Sequence, residues 1–235
     1  MPYQLAVRGG ASVPAGKIVA VAKNYEDHRR EMAATQGSGA AWGSGAPGDV
    51  TPPADPVVFL KPASCLVGDG GAIRIPEGLA NVHWETELAV VLGARLKDAS
   101  EEEAMRAVLG YAVFLDMTAR DLQAEAKKAG MPWTLSKGLD TFGPVSEVVP
   151  AALCPPWDEM RLKLVVNGEM RQEARCGDMI HRVPKLLAYL SRHMTLDPGD
   201  IVATGTPAGV GPCKPGDTLE ASLPGVVTLR VRVEG

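Results

Sequence analysis

From Pro56 onward, hydrophobic positions fall mostly into short runs or alternate with polar ones, the two-residue period of β-strands. Val57–Leu60 and Ala72–Ile75 read as short strands bounded by Pro and Gly. Arg161 to Glu173 alternates on both sides of Asn167-Gly168, a strong hairpin signal. Asp197–Asp200 is a turn into the strand Ile201–Thr204, and a last hairpin runs to Val233. Upstream, Lys17–Ala22 reads as a buried strand leading into a polar, helix-compatible stretch, Asn24–Met32. Helical signals are fewer. Ser100 with Glu103 forms a capping box that opens a helix expected to stop near Gly110. Thr118 reads as the N-cap of a second helix, with Asp121 in its first turn and Gly130 at its end. Met179–His193 carries apolar residues at Ile180, Val183, Leu186, Leu187 and Leu190, a helical spacing in which Pro184 sits awkwardly. Many short strands with about three inserted helices give an α+β domain, not regular βαβ winding.

A chain of 235 residues fits one core. We expect a single catalytic domain over 1–235, with a short N-terminal segment, 1–16, and a lid over about 24–53. From Ala33 to Pro53 the chain is almost wholly Ala, Gly, Ser and Pro, which offers little to offset the entropy of ordering it. That composition fits a mobile lid or an inert linker. With 46 % hydrophobic and 22 % charged residues the composition is that of an ordinary globular protein, and a net charge of −4 offers no basic face for nucleic acid. No apolar run reaches the roughly 20 residues that span a bilayer. Residues 1–20 lack an export or transit pattern. Cys65, Cys154, Cys176 and Cys213 are scattered and form no C-x-x-C pair, so reduced thiols in the cytoplasm, or in a mitochondrial matrix, are expected.

The chemistry concentrates in His83–Val91 and in Asp116, which ends the apolar run Tyr111–Leu115. On a strand, Glu85 and Glu87 share a face about 7 Å apart and repel unless something positive lies between them. A hard divalent cation suits such oxygen donors, with Asp116 as third ligand; a solvated acidic edge gives the same spacing. His28 and Glu31 lie three apart, so on a helix the carboxylate can orient the imidazole, whose ordinary titration near neutrality suits a general base. Arg120 and Gln123 share a face of the second helix and could reach substrate oxygens. Gly205–Gly211 lacks the lysine of a phosphate-binding loop; its glycines permit close backbone approach, and Thr206 offers a hydroxyl. His83 reads as packing beside the acidic strand, His181 and His193 as structural.

Five segments, in order, resemble the fumarylacetoacetate hydrolase superfamily: Val58–Pro62, His83–Leu88, Leu115–Gln123, Pro132–Lys137 and Gly199–Gly211. The likeness runs from Lys17 to the end. It is nearest the short acylpyruvate hydrolase and oxaloacetate decarboxylase/tautomerase branch, which Asn24, Tyr25, His28, Glu31 and Met32 also match. The Ala33–Pro53 segment is longer than in that branch. The resemblance implies a mixed β-sandwich roll, Mg2+ or Mn2+ held by Glu85, Glu87 and Asp116, a homodimer, and Lys137 as an active-site lysine beside His28 and Glu31. It also implies a small 2-oxo acid as substrate, chelated to the ion and reacting through a metal-stabilised enolate. Acylpyruvate hydrolysis, oxaloacetate decarboxylation and keto–enol tautomerisation all share that electron sink. Isomerisation or decarboxylation of longer diacids from aromatic degradation is the alternative, favoured by extra cations lining the pocket. An inactive, metal-stabilised scaffold is a third, though it would need neither His28, Glu31 nor Lys137.

Overall fold

The run Thr86–Leu92, apolar from Leu88 onward, is buried throughout and requires cover on both faces, which the fold supplies. In the computed structural model, which describes residues 2–35 and 54–235, this run is a central strand of a six-stranded mixed sheet. Across that sheet the order is Val149–Pro150, Val108–Leu115, Thr86–Leu92, Ile201–Ala203, Ile18–Ala22 and Val57–Lys61. Ile201–Ala203 runs parallel to Ile18–Ala22; its other neighbour, Thr86–Leu92, is antiparallel. Val57–Lys61 is an edge strand, with Lys61 opposite Ile18.

Alternate residues of the sheet feed two apolar layers. Leu88, Val90, Val113 and Val202 pack with Leu162, Leu164, Leu219 and Leu229 of a second, five-stranded sheet. Ala89, Val91, Phe114 and Ile201 face the other way, toward Leu5, Leu66, Val145 and Val148. The five-stranded sheet contains Glu169–Arg175, Arg161–Val166, Thr218–Leu223, Val227–Glu234 and Ala72–Arg74 in that order. Its long strands alternate buried and exposed residues because only one face meets the core. Two packed mixed sheets with short helices between strands make the expected α+β sandwich roll.

The Asn167-Gly168 turn closes its hairpin with both residues at positive φ, 51° and 84°. The capping box at Ser100 is formed, but its helix, Glu101–Arg106, stops short of Gly110. Gly110 instead lies inside the strand Val108–Leu115, where a Cβ would collide with Val149 O. The helix after Asp116 spans Arg120–Ala129 and ends at Gly130, φ 65°, but Thr118 does not cap it. Its hydroxyl donates to Asp116 O, and Thr118–Ala119 pairs with Val82–His83 as a short strand. Pro184 also falls into place. The last helix begins at Val183, later than the spacing of Met179–His193 suggested, so Pro184 sits in the first turn, where no intrahelical N–H is required. His28 and Glu31 lie on the helix Glu26–Thr35; residues 36–53 of the expected lid lie outside the described residues. No helix among the described residues is long and apolar enough to cross a membrane.

Candidate active site

Glu85 interrupts the strand path: Val82–Trp84 belongs to a three-stranded sheet with Thr118–Ala119 and Gly211–Cys213, and Thr86–Leu92 to the six-stranded one. At this joint the backbone of Glu85 accepts a hydrogen bond from Asp116 N (2.8 Å), which seats the end of the neighbouring strand beside it. Glu85, Glu87 and Asp116 thereby converge. Each offers a carboxylate oxygen, all within 4.8 Å of one another, and all three side chains are buried.

Cations and N–H groups surround the acids. Lys137, delivered by the short helix Thr134–Lys137, donates to Glu85 Oε2 (2.8 Å) and Asp116 Oδ2 (2.5 Å). Arg120 Nη2 donates to Glu85 Oε1 (2.5 Å), and its Nη1 to Gln123 Oε1 (2.9 Å). Gly205 N–H donates to Glu87 Oε2 (2.7 Å). The carboxylates respond unequally. Burial alone would push Glu85 up, but Lys137, Arg120 and His28 override it and hold the group well below the usual range. Glu87 is pushed well above that range by burial and by the charges of Asp116 and Glu85. Lys137 is held up by Asp116 and Glu85 against the downward pull of its own burial.

His28 reaches a pocket beside these acids from the helix Glu26–Thr35, with Glu31 next to it. Nδ1 of His28 lies 3.3 Å from Glu31 Oε2, and Glu31 Oε1 accepts from Gly209 N–H at 3.0 Å. Burial would raise Glu31, but the hydrogen bonds from His28 and Gly209 bring it below its ordinary value. His28, Glu85, Glu87, Arg120, Gln123, Lys137 and Thr206 all line this pocket. Thr206 Oγ1 accepts from Gln172 Nε2 at 2.8 Å. His83 is bonded to Asn81 at 2.8 Å and pushed down to about 4 by burial and Arg120, so it is neutral at pH 7.

Three contributors have roles that the sequence does not reveal. Lys61 ends the apolar run Val57–Leu60, yet it is buried and donates to Asp116 Oδ1 at 2.7 Å. Its signal was a lone charge ending an otherwise apolar strand. Gln172, from the five-stranded sheet, bridges Thr86 N, Thr206 and Pro207 O. Asn24 donates to Thr204 O and His181 O and accepts from His181 N–H, tying the end of Ile18–Ala22 to the loop after Ile201–Ala203.

Comparison with known proteins agrees with this geometry. The mitochondrial oxaloacetate tautomerase of Bos taurus is 44 % identical over 217 residues, 92 % of this chain and 91 % of that protein. A crystal structure of fumarylpyruvate hydrolase from Pseudomonas aeruginosa, in complex with Mn2+ and pyruvate, superposes with a TM-score of 0.87 at 34 % identity, covering 99 % of this chain and 96 % of that one. The 2-hydroxyhepta-2,4-diene-1,7-dioate isomerase of Mycobacterium marinum superposes at 0.76 with 38 % identity, covering 96 % and 81 % respectively. The family model for the fumarylacetoacetate hydrolase C-terminal region matches residues 17–234, and the chain belongs to that family.

Proposed function

We propose that this protein is a divalent-metal-dependent enzyme acting on small 2-oxo acids, with acylpyruvates and oxaloacetate as the substrates to test. One observation carries the reading: three buried carboxylates converge to within 4.8 Å, and two of them, Glu85 and Glu87, line the pocket that His28 and Lys137 also line. An all-oxygen, three-carboxylate donor set fits Mg2+ or Mn2+ and leaves room for a chelating ligand. When bound, such an ion polarises a 2-oxo acid and stabilises negative charge at its 2-oxygen. The relative that binds Mn2+ and pyruvate supports the same choice.

The protein's own groups supply the rest. Glu31, fixed by Gly209 N–H, orients the His28 imidazole. In hydrolysis His28 takes a proton from water as the water oxygen bonds to the distal acyl carbon. The C–C bond to C3 then breaks, and C3 regains a proton to give pyruvate and a carboxylic acid. In decarboxylation the same C3 bond is lost with CO2; in tautomerisation only a proton moves at C3. Lys137 balances the developing charge, while Arg120, Gln123 and Thr206 hold substrate oxygens. The thiols are all unpaired, three of them buried, which supports a reducing, cytoplasmic setting. Family membership supports a homodimer, to be checked by sedimentation.

The test is turnover. Purified protein with Mg2+ or Mn2+ is assayed on acetylpyruvate, oxaloacetate and a longer diacid, following substrate and product separately. We expect His28→Ala to cut acylpyruvate hydrolysis by more than about tenfold, within the range for loss of a general base, with little change in ion affinity. Wild-type protein that leaves every acid unchanged would favour an inactive scaffold instead.

A further inference from the structure

Two cations in this pocket have no part in the roles assigned above. Lys23 and Lys127 line it beside Arg120, Gln123 and Trp133. Arg120, Gln123 and Lys127 recur at spacings of three and four on the helix Arg120–Ala129, so they present one face. Lys127 Nζ lies over the Trp133 ring, 5.6 Å from its centroid. Lys23 has φ of 58°, a left-handed backbone that side-chain-bearing residues avoid, and the next residue, Asn24, is tied at three points to His181 and Thr204.

Lys23, Arg120, Lys127 and Lys137 all line this one pocket. Glu85 and Asp116 are matched by Lys137, Arg120 and Lys61, and a divalent ion would add more positive charge. Lys127 is drawn down to about 8 by burial and by Arg120, Lys23 and Lys137, with Glu85 pulling the other way. A second anionic group in the ligand relieves that mutual repulsion; an alkyl group does not. Lys127 also stands at a boundary. Together with Phe59 and Trp133 it lines an adjoining apolar groove walled by Val57, Leu60 and Met131. Among the described residues, its ammonium is the one charged group shared by the pocket and the groove.

We propose that Lys127, seconded by Lys23, is the specificity-determining receptor for a second carboxylate, so that the site prefers 2-oxo diacids to acylpyruvates ending in an alkyl group. This rests on the reading of the site as a metal-dependent 2-oxo-acid enzyme. The head carboxylate and 2-oxo oxygen lie at the acidic cluster, and the distal carboxylate at Lys127.

The experiment compares wild type, Lys127→Met and Lys127→Arg, all Mg2+-loaded. The ratio of kcat/KM for oxaloacetate to that for acetylpyruvate falls at least tenfold in Lys127→Met and recovers to within threefold in Lys127→Arg. Calorimetry gives a readout independent of turnover. Wild type binds 2-oxoglutarate more tightly than pyruvate, and Lys127→Met loses that preference. An unmoved kinetic ratio, or wild-type protein with no calorimetric preference for the diacid, overturns the inference. Turnover of both acids with an unmoved ratio removes only the role of Lys127, whereas turnover of neither removes the underlying enzyme reading.

Discussion

Substituting methionine for Lys61 keeps a long apolar stem but deletes the ammonium 2.7 Å from Asp116 Oδ1. Both side chains are enclosed, 0 % and 1 % exposed. At that separation, with an effective dielectric constant of about 20, the attraction is roughly 6 kcal/mol. Desolvation of both ions offsets most of it. What the variant loses is set by the charge left behind, and removing one member of a buried pair costs about 3–5 kcal/mol. Lys137 still holds Asp116 Oδ2 at 2.5 Å, which places the loss near the lower end, about 3 kcal/mol. For a chain of this size each kcal/mol moves Tm by about 2–4 °C, so Lys61→Met should melt about 6–12 °C lower in EDTA. Repeating the scan in saturating Mg2+ adds a second reading. An ion among Glu85, Glu87 and Asp116 supplies positive charge where the ammonium was lost, so the deficit shrinks. A drop smaller than about 2 °C in EDTA would refute the claim that Lys61 balances Asp116. A deficit of the same size with and without Mg2+ would count against an ion at the acidic cluster.

Glu87→Gln separates ion binding from folding. Burial, with Asp116 and Glu85, pushes this carboxyl well above its ordinary range in metal-free protein and so favours its neutral form, and an amide oxygen can still accept from Gly205 N–H. Metal-free Tm should therefore stay within about 3 °C, while calorimetric Mg2+ affinity falls by about tenfold or more; a large loss of Tm without loss of affinity would contradict this. Gly209→Ala should disturb the base and not the ion site. Gly209 has φ of 96°, a Cβ there would collide with Arg171 O, and its N–H holds Glu31. Hydrolysis should fall about tenfold with Mg2+ affinity retained, and an unimpaired kcat would show that Glu31 needs no such anchor. The last prediction concerns pH. Lys127 has its affinity for protons reduced by burial, Arg120, Lys23 and Lys137, with Glu85 opposing, so its charge is present below about pH 8 and lost above it. The kcat/KM for oxaloacetate should decline through that region more steeply than that for acetylpyruvate, and superimposable profiles would argue against a role for its charge.

How much could be read from the chain depended on how local each signal was. The capping box at Ser100 and the Asn167-Gly168 turn are settled within a few residues, and both form. Glu85, Glu87 and Asp116 were legible because two neighbouring strands bring them together. Helix limits were less so. Thr118 has the residue type of an N-cap, but strand pairing with His83 claims its backbone, and the helix starts two residues later. Gly110 reads as a helix stop until Val149–Pro150 packs against it, where only a residue without a side chain fits. Lys61 was missed for a similar reason. The lone charge that ends Val57–Lys61 marks the residue but not the inward turn of its side chain, which follows from pairing with Ile18, far away in sequence. Gln172 depends on a different sheet altogether.

The three acids all hang from one hairpin. Thr86–Leu92 zips against Val108–Leu115, and Glu85 and Asp116 sit at the open end, remote from the connection after Leu92. Closure that starts near that connection, the entropically favoured route, reaches the acids last and forces like charges together at the final rungs. Lys61, Arg120 and Lys137 all come from outside the hairpin. The last rungs therefore close against repulsion unless a cation lies beside them, whether on a docking neighbour segment or as an ion from solution. The acidic end of the hairpin thus depends for its stability on charge supplied from elsewhere in the chain.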